Sequence, residues 1–167
     1  MNHPKIKIHV KDFGTMTAEL YPEMAPLTVA NFLSLIEKKF FDGLIFHRVI
    51  PGFMIQGGGF TPDMQQKEAE AIKGEFAMNG CRTNTLKHTR GVLSMARTSV
   101  PNSASSQFFL MHANAPHLDG QYAGFGKVIE GDDVIDAIAA VRTGSFGWYD
   151  DVPMRPVVIE TMEIVEE

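Results

Sequence analysis

A single arginine interrupts an apolar, glycine-rich stretch, FHRVIPGFMIQGGGF, at residues 46–60. A guanidinium keeps its charge and is costly to bury without partners, so Arg48 does not suit a plain core strand. Side chains alternate between the faces of a strand, which puts Arg48 opposite His47 and Val49. Arg48 is suited to donating several hydrogen bonds from a fixed charge. We expect His47 to be a hydrogen-bonded core histidine rather than an acid–base catalyst.

Apolar and amide side chains from other segments can join Arg48 around one pocket if those segments are neighbours. Met54 and Gln56 share a face of one segment, and Gln107 and Phe109 share a face of another. A small apolar pocket with a few placed polar groups is the general form of a ligand site. The apolar residues of the predicted pocket are Phe53, Met54, Phe109 and Leu118. Periodicity alone leaves a second interpretation open, in which these four are ordinary core residues.

Other chemical constellations have weak support. The glycines at 57–59 precede no GK[ST] motif and no helix, which favours a bend or a close backbone approach over a phosphate loop. Gly124 and Gly126 lie within a predicted strand, where a dinucleotide-binding turn is not found. His112 and His117 have no thiol or carboxylate partner at a metal-binding spacing. We therefore expect neither a metal nor a cofactor.

The composition is that of one globular domain covering residues 1–167. A net charge of −5 argues against a nucleic-acid partner, because such proteins carry a basic patch. Cys81 is the one cysteine, so an intramolecular disulfide is impossible. The N-terminal sequence lacks the apolar region of a signal peptide, and no run of about 18 apolar residues occurs. We expect a cytoplasmic monomer without a membrane span.

The elements that must position these residues are mostly strands. Alternation and β-branched residues predict eight of them, at 5–10, 15–20, 44–50, 53–57, 91–96, 106–112, 122–129 and 156–165. Because these strands do not alternate with helices, a doubly wound sheet is disfavoured. We predict a mainly β fold, an eight-stranded antiparallel closed barrel.

Two helices are predicted to cover the ends of the barrel. Residues 25–41 have apolar side chains at helical spacing, with Pro26 suited to the first turn. Asp132 can cap a second helix that runs through Val141. Residues 58–90 are rich in glycine, polar and charged residues, so they are predicted to be mostly loop, unusually long for a compact domain. The sequence leaves the role of that loop open.

Several of these segments together resemble one known family. They are APLTVANF (25–32), FHRVIPGFMIQGG (46–58), GVLSMA (91–96), SQFFLMH (106–112) and LDGQYAGFGKV (118–128). They look like the cyclophilins, which are peptidyl-prolyl cis–trans isomerases, and the resemblance covers nearly the whole chain in order. The segment from IKGEF to LKHTRGVLSMAR is similar to the bacterial cytoplasmic type, peptidyl-prolyl isomerase B. The family's eight-stranded barrel with two helices agrees with the predicted elements.

The resemblance implies a role for each residue of the predicted pocket. Arg48 matches the family's catalytic arginine, and the four apolar residues match its proline pocket. The family's polar frame and the strand end that pairs with the substrate backbone match Gln56, Gln107, Ala96, Arg97 and Thr98. The pocket rim matches His117 and Tyr122.

Three positions depart from the pattern of many eukaryotic members. His117 stands where they have tryptophan, Tyr122 where they have histidine, and Arg97 where they have asparagine. Backbone contacts at Arg97 should survive the change. The loss of an indole donor at position 117 implies that cyclosporin binds weakly, without a consequence for catalysis.

The implied function is an isomerase that accelerates rotation about X–Pro bonds and assists protein folding. Its implied partners are proline-containing peptides and unfolded or partly folded proteins. An alternative from another class is a non-catalytic proline-peptide binding module. Such a module would be expected to lose the arginine or to fill the pocket, so Arg48 favours the enzyme. A purely structural barrel leaves Arg48 without an explanation.

Overall fold

The computed structural model describes residues 3–147 and 149–165. The strands are β1 (Lys5–Val10), β2 (Gly14–Leu20), β3 (Arg48–Ile50), β4 (Met54–Gly57), β5 (Val92–Met95), β6 (Phe108–Met111), β7 (Gly124–Glu130), β8 (Thr143–Phe146), β9 (Tyr149–Pro153) and β10 (Ile159–Val165). The helices are α1 (Pro26–Glu37) and α2 (Asp133–Ala139), with short 3₁₀ turns at Ala77–Asn79 and Pro116–Leu118.

Eight strands form one antiparallel sheet in the order β10-β1-β2-β7-β5-β6-β4-β3. These are the eight predicted strands, so the antiparallel barrel with two helices is confirmed. The predicted barrel is not fully closed, because β3 and β10, the two end strands of this order, do not form a ladder with each other. A single bridge between Ile45 and Val158 joins the two ends, helped by the Ile159 N–H, which donates to the Leu44 carbonyl at 2.7 Å.

Both helices are shorter than predicted. The helix predicted at 25–41 spans only Pro26–Glu37, and Lys39 beyond it has a positive φ of 57°, which a helix does not allow. The second helix ends at Ala139 and not at Val141, and Asp132 lies at its N-cap without a side-chain hydrogen bond, so the predicted capping is wrong.

Two strand elements also differ from the prediction. The strand expected at 44–50 begins only at Arg48, because the preceding residues make separate backbone bonds to Val157, Ile159 and Phe60. The hairpin formed by β8 and β9 was not predicted, because TGSF and YDDVP lack a clear alternation of apolar and polar residues. This hairpin forms its own two-stranded sheet, and β9 packs against β3.

Apolar residues pack on both faces of the barrel wall. Alternate residues of β4 and β6, such as Ile55 and Leu110, point into the main core with Phe32 of α1. Their neighbours Met54 and Phe109 point outward into a second apolar cluster. The outward cluster is completed by Val92, Met111, Ala115 and Leu118. A strand buried on both faces explains why these segments have nearly continuous apolar sequences.

The long loop at 58–90 has a structural role that the sequence left open. It contains one 3₁₀ turn, so the prediction that it is mostly loop is confirmed. The Glu75 carboxylate accepts bonds from the Thr28 N–H at 2.6 Å and the Thr28 hydroxyl at 2.8 Å. Ala25 provides no side-chain cap, so Glu75 supplies the acceptor that the first turn of α1 requires. Asn84 then ties this loop to β7 by donating to the Gly124 carbonyl.

Replacing Glu75 by alanine should lower the free energy of unfolding by about 2–3 kcal/mol, because two buried Thr28 donors lose their acceptor. Glu75→Gln keeps one oxygen acceptor and should cost less. Urea denaturation at pH 7 measures both. Glu160→Ala, at an exposed carboxylate on β10, is the matched control and should change stability by less than about 0.5 kcal/mol. Equal stability of Glu75→Ala and Glu160→Ala would contradict the capping role.

Candidate active site

Strand pairing brings the predicted polar and apolar residues into one row. Arg48 of β3 lies opposite Gln56 of β4, and Gln56 lies opposite Phe109 of β6. Phe109 in turn lies opposite Ser94 of β5. Directly opposed residues share a face of the sheet, so Arg48 and Phe109 are on the same outer surface. The alternation seen in the sequence therefore places the charged group beside the outward apolar cluster.

Nine of the twelve predicted site residues line one open cavity of about 130 Å³. They are Arg48, Phe53, Met54, Gln56, Ala96, Arg97, Phe109, Leu118 and Tyr122. Ligand pockets for drug-sized molecules are commonly about 300–1,000 Å³, so this cavity has room for a single side chain. The sequence left open whether the four apolar residues are core residues or pocket residues, and both descriptions hold in part. Met54, Phe109 and Leu118 are buried, and they also form walls of the cavity.

The other three predicted residues contact the cavity indirectly or not at all. Gln107 accepts a bond from Gln56 at 3.0 Å, and the His117 ring stacks on Phe53 with centroids 5.8 Å apart. Thr98 turns into its own loop, where its N–H and its hydroxyl both bond to Ser103 Oγ at 2.9 Å. Its carbonyl accepts a bond from Arg97. Thr98 is therefore not brought into the cavity.

The Arg48 guanidinium is exposed at the mouth of the cavity and has few partners of its own. Nη1 donates to Gln56 Oε1 over a long 3.4 Å. In the described part of the chain, no carboxylate pairs with Arg48, so four of its five N–H groups have no partner there. The bond from Gln56 to Gln107 fixes the amide that holds Arg48. The Arg48 guanidinium is therefore a positioned cation beside the apolar walls of the cavity.

The triple glycine allows the backbone to pass close to this amide pair. A Cβ on Gly59 would lie 2.4 Å from Gln107 Cγ, and Gly58 has a φ of +89°, which favours glycine. The predicted bend with close backbone approach is confirmed. The glycines have no direct part in the cavity and instead leave room for Gln107.

Arg97 braces the opposite rim of the cavity. Its guanidinium lies between the rings of Phe76 and Tyr122, 4.6 Å and 4.8 Å from their centroids. Its Nε and Nη2 donate to the Gln121 carbonyl at 3.1 Å and 2.7 Å. These contacts fix the Tyr122 ring, which packs edge-on against Phe109.

A buried histidine beneath the cavity was missed by the sequence analysis. His88 is 1% exposed, its ring stacks on Phe109, and its Nε2 lies 2.7 Å from Ser94 Oγ. Its backbone N–H donates to Asp119, the neighbour of Leu118, at 2.6 Å. Burial lowers the pKa of His88, against an opposing effect of Asp119. His88 thus connects two walls of the cavity, but its burial has no signal in the local pattern LKHTRG.

His47 is buried as expected, but the predicted hydrogen bond is wrong. It is 5% exposed, its ring lies 4.4 Å from that of Phe60, and its Nδ1 has no hydrogen-bond partner among the described residues. Burial, and then the charge of Arg48, lower the pKa of His47 to about 4. The ring is neutral at physiological pH and faces away from the cavity.

No metal-binding cluster of three or more His, Cys, Asp or Glu side chains occurs within residues 3–147 and 149–165. Over the same residues, no helix has the length and apolar character needed to cross a bilayer.

Comparisons with known proteins agree with this fold. The family model described as cyclophilin type peptidyl-prolyl cis-trans isomerase/CLD matches residues 5–164. A peptidyl-prolyl cis-trans isomerase of Acinetobacter baylyi is 49% identical over 92% of this chain and 81% of the relative. Peptidyl-prolyl cis-trans isomerase B of Escherichia coli is 44% identical over 92% of this chain and 95% of its own.

A crystal structure of a cyclophilin type isomerase from Cryptosporidium parvum, obtained in the presence of the dipeptide Ala-Pro, has a similar fold. Its TM-score is 0.82 at 29% identity, over 98% of this chain and 99% of that one. The chain belongs to the cyclophilin-type peptidyl-prolyl cis–trans isomerase family. It is an enzyme of that class, and its reaction is the isomerisation of X–Pro peptide bonds in proline-containing peptides.

The buried His47 predicts a loss of stability in mild acid. Its pKa is about 4 in the folded state and about 6.5 when unfolded, so the unfolded chain binds more protons between these values. The stabilisation present above pH 6.5 is therefore lost as the pH falls towards 4. When the pH is lowered from 7.5 to 4.5, the unfolding free energy of wild type should therefore fall by about 2–3 kcal/mol more than that of His47→Phe.

Urea titrations at both pH values measure this difference. The variant His117→Phe, at an exposed histidine without an ion pair among the described residues, is the control and should keep the acid sensitivity of the wild type. Parallel stability curves for wild type and His47→Phe would contradict the assignment.

Proposed function

We propose that Arg48 is the catalytic residue and that the cavity binds the prolyl ring of the substrate. The observation that supports this most is the juxtaposition of one weakly partnered guanidinium with an apolar cavity sized for one side chain. On this proposal Phe53, Met54, Phe109 and Leu118 hold the ring, while Arg48 faces the bond that rotates.

The reaction requires no nucleophile, base or cofactor. The barrier of about 18–20 kcal/mol arises because the nitrogen lone pair is shared with the carbonyl. In the twisted transition state the prolyl nitrogen becomes pyramidal, and its lone pair can accept a hydrogen bond. A donor that meets this lone pair stabilises the transition state more than either planar isomer. A turnover of about 10³ per second corresponds to a barrier of about 13 kcal/mol, so the site must remove roughly 6 kcal/mol.

Arg48 can supply a large part of that stabilisation. Its planar fork is permanently charged and can approach the nitrogen while also contacting the carbonyl oxygen. A preorganised donor at an oxyanion is worth about 3–4 kcal/mol, and a similar value is reasonable here once the substrate covers the exposed guanidinium. The link from Gln107 through Gln56 keeps the donor in place.

The apolar walls supply the remainder by holding the ring while the preceding carbonyl turns. They also exclude water that would stabilise the more polar planar amide. The substrate backbone is proposed to run along Ala96 and Arg97, with His117 and Tyr122 at the rim. A binding module without catalysis would have no use for an unpaired donor at this position.

The proposed physiological substrates are unfolded or partly folded proteins that contain proline, so the enzyme would assist folding. The assignment of a monomer and of a cytoplasmic location remains a prediction.

Arg48→Ala should lower kcat/KM by about two to three decades without unfolding the chain, because the exposed side chain has one long hydrogen bond. A protease-coupled or NMR exchange assay on an Ala-Pro peptide measures the loss. The control is Arg82→Ala, at an exposed arginine outside the cavity, and full activity is expected. Wild-type kcat/KM should be flat between pH 6 and 9, because the proposed reaction uses no general acid or base. Near wild-type activity of Arg48→Ala would remove the proposed role.

Cyclosporin should inhibit this enzyme more weakly than it inhibits relatives that have tryptophan at the position of His117. The imidazole stacks on Phe53 but does not present an indole donor. Inhibition titrations of wild type and His117→Trp compare the two directly, with tighter inhibition expected for the variant. Unchanged affinity in a folded, active His117→Trp enzyme would refute this explanation.

A further inference from the structure

A second and larger cavity, which we call the basic groove, lies outside the isomerase site. It has a volume of about 600 Å³ and shares no lining residue with the smaller cavity. Its walls come from the turn after β1, the residues that follow α2, and the segment that precedes β10. The residues that matter here are Lys11, Phe13, Val141, Arg142, Met154 and Arg155.

Backbone hydrogen bonds fix the shape of the basic groove. The Lys11 N–H donates to the Val158 carbonyl at 2.9 Å, which holds the first wall against the third. The Met154 N–H donates to the Arg142 carbonyl at 2.8 Å, which holds the third wall against the second. A ligand would therefore meet a preformed site and would not have to order its walls.

Three cations surround the basic groove and are unused by the fold. Lys11, Arg142 and Arg155 are exposed, and within the described part of the chain none of them makes an ion pair or a side-chain hydrogen bond. Asp12 is the acidic side chain in the lining, so the local charge is positive while the whole chain carries −5. Guanidinium groups favour carboxylates, which they can bind in bidentate geometry.

The basic groove also has an apolar surface. Met154 is 67% exposed, and Phe13 and Val141 are partly exposed beside it. Burying such surface stabilises a complex by roughly 25 cal/mol per Å² before the cost of association. A simple anion would leave this surface wet, so charge and apolarity together favour a ligand that carries both carboxylates and apolar side chains.

We propose that the basic groove is a second peptide-binding site, which takes an extended segment rich in Asp, Glu and large apolar residues and needs no proline. This proposal rests in one respect on the proposed function: if unfolded proteins are the substrates, a chain bound in the basic groove would have a higher effective concentration at the isomerase site. Binding at the groove itself does not depend on that function, so the two can be tested separately.

The test is fluorescence anisotropy with the labelled, proline-free peptide Gly-Glu-Asp-Leu-Phe-Glu-Asp-Leu-Gly. The double variant Arg142→Gln with Arg155→Gln should bind about tenfold more weakly, because each exposed ion pair contributes a few-fold. The matched control, Lys38→Gln with Arg82→Gln, changes the net charge equally at exposed sites outside the groove and should bind as wild type. A peptide with Lys in place of each acid should not bind, and the affinity of the acidic peptide should fall as salt rises.

Two further measurements locate the bound peptide. Amide NMR shifts should cluster at residues 141–142 and 154–158, and excess Ala-Pro peptide should not displace the probe. The groove double variant and the control double variant should both keep the circular dichroism spectrum of the wild type and full isomerase activity on a short peptide. Wild-type affinity in the groove double variant, equal losses in the control, or displacement by Ala-Pro would each overturn the proposal. Tighter binding of a single-stranded oligonucleotide of equal charge would show a nucleic-acid site and would also overturn it.

Discussion

The pairing of β3, β4 and β6 is the constraint on which the site depends. Their register sets Arg48, Gln56 and Phe109 side by side on the outer face of the barrel wall. A shift of one residue in β3 would turn Arg48 towards the main core and bring Val49 to the cavity. The position of the charge is therefore a property of the sheet, and the chemistry proposed for Arg48 depends on the sheet placing this donor beside the cavity.

This position is stabilised on several sides. The main barrel core fixes the inner face of the same strands, since Ile55 is fully buried between the outward-facing Met54 and Gln56. His88 supports Phe109 from below, and Arg97 supports Tyr122 from the side. Each contact restricts a cavity wall without taking a donor from Arg48. A rigid wall and a guanidinium with spare donors are what selective stabilisation of a twisted amide requires.

Much of the fold could be predicted from local pattern, because strands of alternating or continuous apolar residues have strong signals. The eight barrel strands and both helices were found in this way, and so was the face that Met54 shares with Gln56. The β8–β9 hairpin was missed because TGSF and YDDVP lack a clear alternation of apolar and polar residues, and, among the described residues, the two strands pair only with each other. Long-range polar contacts were also missed. Glu75 reaches Thr28 across 47 residues, and no local pattern of either segment indicates that pairing.

The candidate site was predictable in composition but not in detail. Periodicity could not separate core packing from a pocket, because the apolar walls are buried residues that also border a cavity. The family resemblance supplied that distinction. His47 packs against Phe60 and its Nδ1 has no partner in the described part of the chain, and Thr98 is held in its own loop by Ser103, away from the cavity. Both outcomes depend on three-dimensional contacts that the sequence does not reveal.

A crystal structure of this enzyme with an Ala-Pro peptide bound would test the position of Arg48 directly. We expect the prolyl ring to lie between Phe53, Met54, Phe109 and Leu118, with an Arg48 nitrogen about 3–3.5 Å from the prolyl nitrogen or the preceding carbonyl oxygen. A prolyl ring bound elsewhere, or an Arg48 side chain turned away from the peptide bond in a catalytically active crystal, would contradict it.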